Sequence, residues 1–331
     1  MKRSPTLPRR RQERRRLAGM TLVELLVAMA LGLLVTLAAT AALVVARRGF
    51  TTVDAASQLR DNARFATDAI QRLAVQAGYR DLSYAASRRG NAIGISADPV
   101  PNISGFDNGI ANRTSADTVT ARTASDGYGD VLILRHQASE TFPGSGEIDA
   151  SMIDCAGYTA DALAANRDDM RTSIFFVASS NDGEPTLMCY RSKNGSPPFA
   201  GSVPLVRGVE NFQVLYGVDG VIAKTAIDPT NISMKADTVP EKYLRAEQLT
   251  VAGNDVATRA NWRRVRSLRI GLVLRSEVGA TQELKTQTLY PLGGPAFGSS
   301  DDVGTIFTAP ADGRVRQVVS FTVHLRNDQG L

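Results

Sequence analysis

This 331-residue chain has a long apolar run near its start, which limits the folds open to it. Residues 20–46 consist mainly of Leu, Val and Ala, and their one charged side chain is Glu24. As a helix, a run of this length would extend about 40 Å, which exceeds the roughly 30 Å hydrocarbon core of a bilayer. The run therefore predicts a membrane-spanning helix. A carboxylate at membrane depth is energetically costly and usually marks function, so we predict a functional role for Glu24.

The net charge of +5 belongs to the segment before that run. Residues 1–19 contain eight of the 38 Lys and Arg residues and one of the 33 acidic residues, which leaves 30 basic and 32 acidic side chains in the rest. A basic segment before an apolar run is a topology signal that stays on the cytoplasmic side. No zinc-finger spacing, groove-reading helix or aromatic ladder accompanies it, so no nucleic-acid partner is predicted.

The helical pattern continues beyond the apolar run. No proline occurs between Pro8 and Pro99, and small apolar residues then recur every three or four positions opposite a charged face. This pattern is typical of an amphipathic helix. We therefore predict one helix over residues 20–78, with Gly78 as its C-cap. The apolar stripe of its second half consists of Val53, Ala56, Leu59, Ala63, Ala66, Ile70, Leu73 and Ala77.

The remaining sequence predicts a β-rich domain, because short apolar alternating segments are separated by loops rich in Gly, Pro, Asn and Asp. We expect an α+β fold in which the long N-terminal helix packs on an antiparallel sheet that has one covered face. The predicted strands are 131–136, 173–178, 186–191, 209–218, 264–275 and 315–326. The predicted loops are 99–109, 140–150, 179–185, 192–202 and 291–304.

The chain has two cysteines, Cys155 and Cys189. Beyond a membrane crossing the compartment is oxidising, and a cysteine pair in a secreted domain usually forms a disulfide. We therefore predict a Cys155–Cys189 disulfide, with two free buried thiols as the alternative.

No pattern in the sequence predicts a catalytic residue, a cofactor or a metal site. His136 and His324 both fall within strand patterns, and a nucleophile elbow, HExxH, Walker loop and CxxC are all missing from the sequence. The segments 125–130 and 181–184 are rich in side-chain oxygens but lack the EF-hand register, so we interpret them as solvated turns. The chain is predicted not to be an enzyme.

Three interpretations of the N-terminus compete. The apolar core of a secretory signal peptide has about 7–15 residues, shorter than this run, although residues 39–41 (ATA) could serve as a cleavage site. A plain single-pass anchor explains the length and the charge bias. It does not explain Glu24 or the junction between Gly19 and Met20. The third interpretation is a segment that is cleaved at this junction and then takes part in assembly.

Residues 19–24 (GMTLVE) resemble the type IV prepilin consensus. The resemblance implies that a prepilin peptidase cuts after Gly19 and methylates Met20, where most major pilins have Phe. It also implies that Glu24 guides filament assembly. A buried charge is tolerable only when it is paired, so Glu24 would neutralise the cationic N-terminal amine of a neighbouring subunit. The apolar packing would come from Leu22, Leu25, Leu26, Met29 and Leu33.

Segments 209–219, 262–276 and 314–327, with shorter stretches at 64–65 and 78–80, resemble the PilW family of minor pilins. The resemblance implies a pilin-like fold and a minor pilin that primes type IV pilus assembly, is incorporated at the tip, and supports twitching motility and adhesion. The implied partners are other minor pilins, the major pilin, prepilin peptidase, a large tip adhesin and inner-membrane lipid.

The resemblance also implies the domain organisation. Residues 1–19 would be a cleaved leader, 20–46 a transmembrane and assembly helix, 47–78 its amphipathic continuation and 79–331 a periplasmic β-rich domain. The protein would lie in the inner membrane and then in the pilus. A minor pseudopilin of type II secretion is one alternative, and a membrane-anchored periplasmic binding module or enzyme is another.

Overall fold

The computed structural model describes residues 19–80, 98–122, 128–142, 144–164, 169–192 and 199–327. The chain divides after Phe50 into two compact units. Helix α1 (Leu22–Gln76) has 55 residues, which confirms the prediction of one long helix. Gly78 follows with φ of 79°, the left-handed conformation expected at a glycine C-cap, and its N–H donates to the carbonyl of Arg135 at 2.8 Å.

The amphipathic half of α1 buries its predicted stripe within the second unit. Ala56 is half-buried, whereas Val53 is 69% exposed, so the buried stripe begins later than predicted. The i, i+3 and i+4 spacing of the buried residues places them on one face of the helix. The buried members are Leu59, Ala63, Ala66, Ile70, Leu73 and Ala77.

The second unit contains fourteen strands among its described residues, and all six predicted strands are present. Two short α-helices follow, α2 (Ala246–Leu249) and α3 (Asp255–Trp262), with 3-10 turns at Ile232–Met234 and Pro295–Phe297. The strands are β1 (Ile103–Phe106), β2 (Gly109–Asn112), β3 (Ser115–Ala121), β4 (Tyr128–Gly129), β5 (Val131–His136), β6 (Arg171–Ser179), β7 (Pro185–Ser192), β8 (Val203–Arg207), β9 (Val209–Val218), β10 (Lys242–Leu244), β11 (Val265–Arg275), β12 (Gln287–Leu289), β13 (Phe307–Ala309) and β14 (Arg316–His324).

The strands form two main antiparallel sheets. Sheet I has the order β1-β5-β6-β7-β8. Sheet II has the order β10-β9-β11-β14, with the two-residue β4 parallel to β9. The prediction of a long helix with antiparallel sheet is therefore confirmed. The predicted loop 99–109 is wrong in part, since it contains β1, which pairs with β5 from Ile103 opposite Leu134 to Phe106 opposite Val131.

One hydrophobic core joins the buried face of α1 to both sheets, and we call it the main core. Ile70 of the helix belongs to it with Leu132 of sheet I and Ile270 of sheet II. Alternate residues of a strand point to opposite faces of its sheet, so a second layer is needed to bury the remaining side chains. Two small hairpins supply part of that layer.

The prediction that the sheet has one covered face is wrong. Every residue of β9 is buried, and β11 is buried except at two arginines. The β2–β3 hairpin packs on the outer face of sheet I, where Ala111 contacts a cluster that includes Ile133. The β12–β13 hairpin covers Val273 of sheet II with Phe307. With the main core on one face and these hairpins on the other, the central strands are buried on both faces.

Cys155 and Cys189 form a disulfide, as predicted, with their Cα atoms 6.2 Å apart. Cys189 lies in β7, and Cys155 lies in the connection that precedes β6. The bond therefore ties a long surface segment to sheet I.

Reduction of this disulfide is expected to lower the free energy of unfolding by about 3–4 kcal/mol, because a closed loop of this size restricts the unfolded chain. Urea unfolding of the full chain in detergent, with and without dithiothreitol, measures the difference. The Cys155→Ala/Cys189→Ala chain is the control and should not respond to dithiothreitol. Equal midpoints for the oxidised and reduced wild type would contradict the prediction.

Candidate functional site

The candidate site is the first turn of α1. Gly19 and Met20 precede the helix without regular structure, and both are exposed. Thr21 is the N-terminal flanking residue, and its hydroxyl accepts the N–H of Glu24 at 3.2 Å. The Glu24 carboxylate in turn accepts the Thr21 N–H at 3.0 Å and the Thr21 hydroxyl at 3.2 Å. This reciprocal pair is a capping box, which satisfies two of the free amides of a helix start.

The capping box gives Glu24 a local role that our sequence interpretation missed. The signal was visible as a Thr three residues before a Glu at the head of an apolar run. A capping box needs a hydrogen-bond acceptor at this position, and Gln provides one as well as Glu does. The negative charge therefore remains unexplained by the cap. Among the described residues, no basic group forms an ion pair with Glu24.

The helix that follows has its apolar side chains exposed. Among the described residues, α1 is the one helix long and apolar enough to cross a membrane, and none of its apolar window is buried. A core helix of a soluble protein would be mostly buried. The five residues predicted to provide packing, Leu22, Leu25, Leu26, Met29 and Leu33, are each half-exposed or more. This surface therefore requires lipid or other helices around it.

Neither histidine lies in an arrangement suited to acid–base chemistry. His136 is buried, and burial together with the nearby Arg171 charge lowers its pKa to about 4. At neutral pH it is therefore uncharged. His324 lies at the exposed end of β14.

Of the two oxygen-rich segments, residues 181–183 form an exposed turn, as predicted, whereas the first segment differs from a solvated turn. Residues 125–127 lie outside the described residues, but Asp130 is fully buried and accepts the N–H groups of Asn108 and Val214 at 2.9 and 2.7 Å. Burial and the nearby charge of Asp107 raise the pKa of Asp130 well above its usual range. In the other segment, Glu184 pairs with Arg275 and Arg314, each at 3.0 Å. These carboxylates bind the protein's own donors.

Asp107, whose charge helps to raise the pKa of Asp130, also binds donors of the protein itself. Its carboxylate accepts the N–H groups of Ala246 and Glu247 at the start of α2, at 2.9 and 2.8 Å. A third buried acid nearby, Asp302, has its pKa raised to about 6, first by burial and then by the charge of Asp107. Through these hydrogen bonds, Asp107 and Asp130 anchor neighbouring loops to the globular unit.

One set of carboxylates has the spacing of a metal site within the described residues. Asp219, Asp237 and Glu241 bring ligand oxygens within 4.8 Å of one another. Asp219 already pairs with Arg266 at 3.1 Å and accepts two backbone N–H groups, and Glu241 accepts the N–H of Gly220 at 2.9 Å. Both oxygens of Asp219 and one oxygen of Glu241 are therefore already bound to protein donors, and we assign no metal site to this set.

Comparisons with known proteins match the N-terminal segment and the second half of the chain. The family described as "Type IV Pilus-assembly protein W" matches residues 174–327, from within β6 to just beyond β14. The "Prokaryotic N-terminal methylation motif" matches residues 14–40, which include Gly19, Met20 and Glu24. A solved type IV-like pilin from Thermus thermophilus is similar at 15% identity, over 81% of this chain and 96% of that one, with a TM-score of 0.41. No curated protein has significant sequence similarity.

Proposed function

We propose that this chain, which is a type IV pilin-like minor pilin with a PilW domain, primes assembly of a type IV pilus and is incorporated at its tip. In this role it supports pilus biogenesis, twitching motility and adhesion. The observation that carries the proposal is the N-terminal methylation motif at the head of an exposed apolar helix, in a chain whose residues 174–327 match the PilW family.

Processing is the first step of the proposed mechanism. Prepilin peptidase removes residues 1–19 and methylates the new N-terminus at Met20. Before cleavage the basic leader lies in the cytoplasm, residues 20–46 cross the inner membrane, and residues 79–331 lie in the periplasm after the amphipathic segment 47–78. The exposed position of Gly19 and Met20, outside the helix, supports access by a peptidase.

Docking of helices is the second step. The mature N-terminal amine is cationic and would be buried among apolar helices, where an unpaired charge is strongly destabilising. Glu24 of a neighbouring subunit supplies the opposite charge, so one axial offset between helices is favoured. Among the described residues, the Glu24 carboxylate binds the neutral Thr21 groups, which a stronger ionic partner can replace.

The partners proposed for this step are other minor pilins, the major pilin and a large tip adhesin. Each pilin would contribute its own apolar helix to a shared bundle. The surfaces of the globular unit would then make the lateral contacts.

Deletion of the gene from its host tests the proposal. We expect few surface pili and loss of twitching, with secreted proteins unchanged, and restoration of both by a plasmid copy. Immunogold labelling of complemented cells should place the protein at filament tips. Loss of protein secretion with normal pili would instead favour a pseudopilin of type II secretion. Normal pili and normal secretion would favour a membrane-anchored binding module or enzyme.

A further inference from the structure

The last strand of sheet II has an open edge. Among the described residues, β14 pairs with β11 on one side and with no strand on the other. The other terminal strands of the two main sheets are β1, β8 and β10, which have four, five and three residues. Strand β8 also contains Pro204, a usual device against edge pairing. Strand β14 has nine residues and contains neither Pro nor Lys.

The hydrogen-bonding groups on that edge can be assigned from the register. Two bonds bracket the strand, from Ser276 N–H to the Val315 carbonyl and from Leu325 N–H to the Arg266 carbonyl, each at 2.9 Å. Hydrogen-bonded pairs alternate along an antiparallel ladder, so the odd-numbered residues of β14 bond to β11. The even-numbered residues direct N–H and C=O groups outward. They are Arg316, Val318, Ser320, Thr322 and His324.

The apolar face of sheet II also continues to this edge. Val323 and Leu325 are buried in the main core, whereas Val319 and Phe321 pack against it and stay half-exposed. A further strand beside β14 would cover these two side chains with its own alternate residues. Burial of apolar surface would then add to the main-chain hydrogen bonds.

A symmetric pair of chains, joined through their two β14 strands, does not suit this edge. Helix α1 is held near one end of β14 by a bond from Asn327 Nδ2 to the Val75 carbonyl at 2.9 Å. Near the other end, Thr52 Oγ1 donates to the Ala280 carbonyl at 2.6 Å, beside the bond from Gly279 N–H to the Gly313 carbonyl. This helix segment therefore runs in the same direction as β14.

Antiparallel pairing of two β14 strands would reverse the helix segments as well. The two chains would then enter their globular units from opposite ends. Chains anchored in one membrane enter from the same side, so the symmetric pair conflicts with a shared anchor.

We propose that β14 is a docking edge for an extended segment of a different pilus subunit. The segment adds to sheet II by main-chain hydrogen bonds to the five outward-facing residues and places apolar side chains at alternate positions over Val319 and Phe321. The choice of a pilus subunit as the partner rests on the proposed function, whereas the surface and the mode of recognition do not depend on Glu24 or on leader cleavage.

Peptide binding tests the proposal. The probes are overlapping fluorescein-labelled 12-residue peptides that cover the extracytoplasmic parts of the other pilin subunits of the host. They are titrated by fluorescence polarisation against the full chain in detergent micelles. Ser320→Pro removes one outward N–H from an exposed position, and Ser320→Ala is its matched control. We expect at least one peptide to bind the wild type and Ser320→Ala, with at least tenfold weaker binding to Ser320→Pro.

Two further measurements keep the test decisive. If Ser320→Pro fails to fold, backbone N-methylation of alternate residues in the bound peptide must weaken binding at least tenfold. Amide hydrogen exchange should be fast at residues 318, 320 and 322 of the free chain and slowed by the peptide, with little change at residues 319 and 321. Binding by no peptide, binding indifferent to both changes, or slow exchange in the free chain would each overturn the proposal. Slow exchange would show that the chain covers this edge itself.

Discussion

A chain with Glu24→Gln is expected to be cut after Gly19 like the wild type, yet to enter pili at less than a tenth of the wild-type level. Gln preserves the capping box, because its amide oxygen can accept the Thr21 N–H. It has no charge with which to neutralise the N-terminal amine of a neighbouring subunit. Removal of one partner of a buried ion pair costs about 3–5 kcal/mol. Each 1.4 kcal/mol corresponds to about a factor of ten in affinity, so the loss should be large.

The matched variant is Thr21→Val, which removes the hydroxyl that caps the helix and keeps the Glu24 charge. Loss of a cap costs about 1 kcal/mol, and we expect assembly close to the wild-type level. Immunoblots of sheared pili and of cell membranes measure the two quantities separately. Normal assembly of Glu24→Gln together with failure of Thr21→Val would mean that Glu24 acts only as a helix cap.

Asp219→Ala is expected to destabilise the globular unit strongly. Asp219 follows β9, and its fully buried side chain pairs with the Arg266 guanidinium at 3.1 Å. It also accepts the N–H groups of Asp237 and Thr238, each at 3.0 Å. Without Asp219, the buried Arg266 loses this ion pair and two backbone N–H groups lose their acceptor, and breaking a buried pair costs about 3–5 kcal/mol. A typical domain has a total stability of about 5–15 kcal/mol, so much of the protein should unfold or be degraded.

The control for this prediction is Glu283→Ala. Glu283 forms an exposed ion pair with Lys285 at 3.0 Å, and such pairs contribute at most about 1 kcal/mol. Urea unfolding of both variants in detergent gives the two differences in the free energy of unfolding. Equal effects of the two substitutions would show that Asp219 is not the anchor that its contacts indicate.

The elements that the sequence predicted well are those with long periodic patterns. Helix α1 has an apolar run and then a stripe, and β9 and β11 are ten and eleven residues of closely spaced apolar side chains. Patterns of this length identify an element without knowledge of its neighbours. Strands such as β1 and β10 were missed, because three or four residues show little periodicity and exist through pairing with distant partners.

The prediction that the sheet has one covered face was wrong for the same reason. The hairpin β12–β13 that covers sheet II consists of two strands of three residues. It packs on Val273 through tertiary contacts, which no local sequence pattern indicates. The candidate site was more accessible to sequence, since Gly19, Met20 and Glu24 form one short motif. The capping role of Glu24 was not predicted, because a carboxylate within an apolar run was interpreted through its charge alone. The open edge of β14 depends on strand order, which no local pattern contains.

The proposed function depends on processing after Gly19, which would make Met20 the first residue of the mature chain. Mass spectrometry of the N-terminal peptide, from protein purified out of host membranes, tests it most directly. We predict a mature chain that begins with N-methylated Met20, and an uncut chain in cells that lack prepilin peptidase. A chain that retains residues 1–19, or that begins after the Ala39–Ala41 segment, would contradict the account.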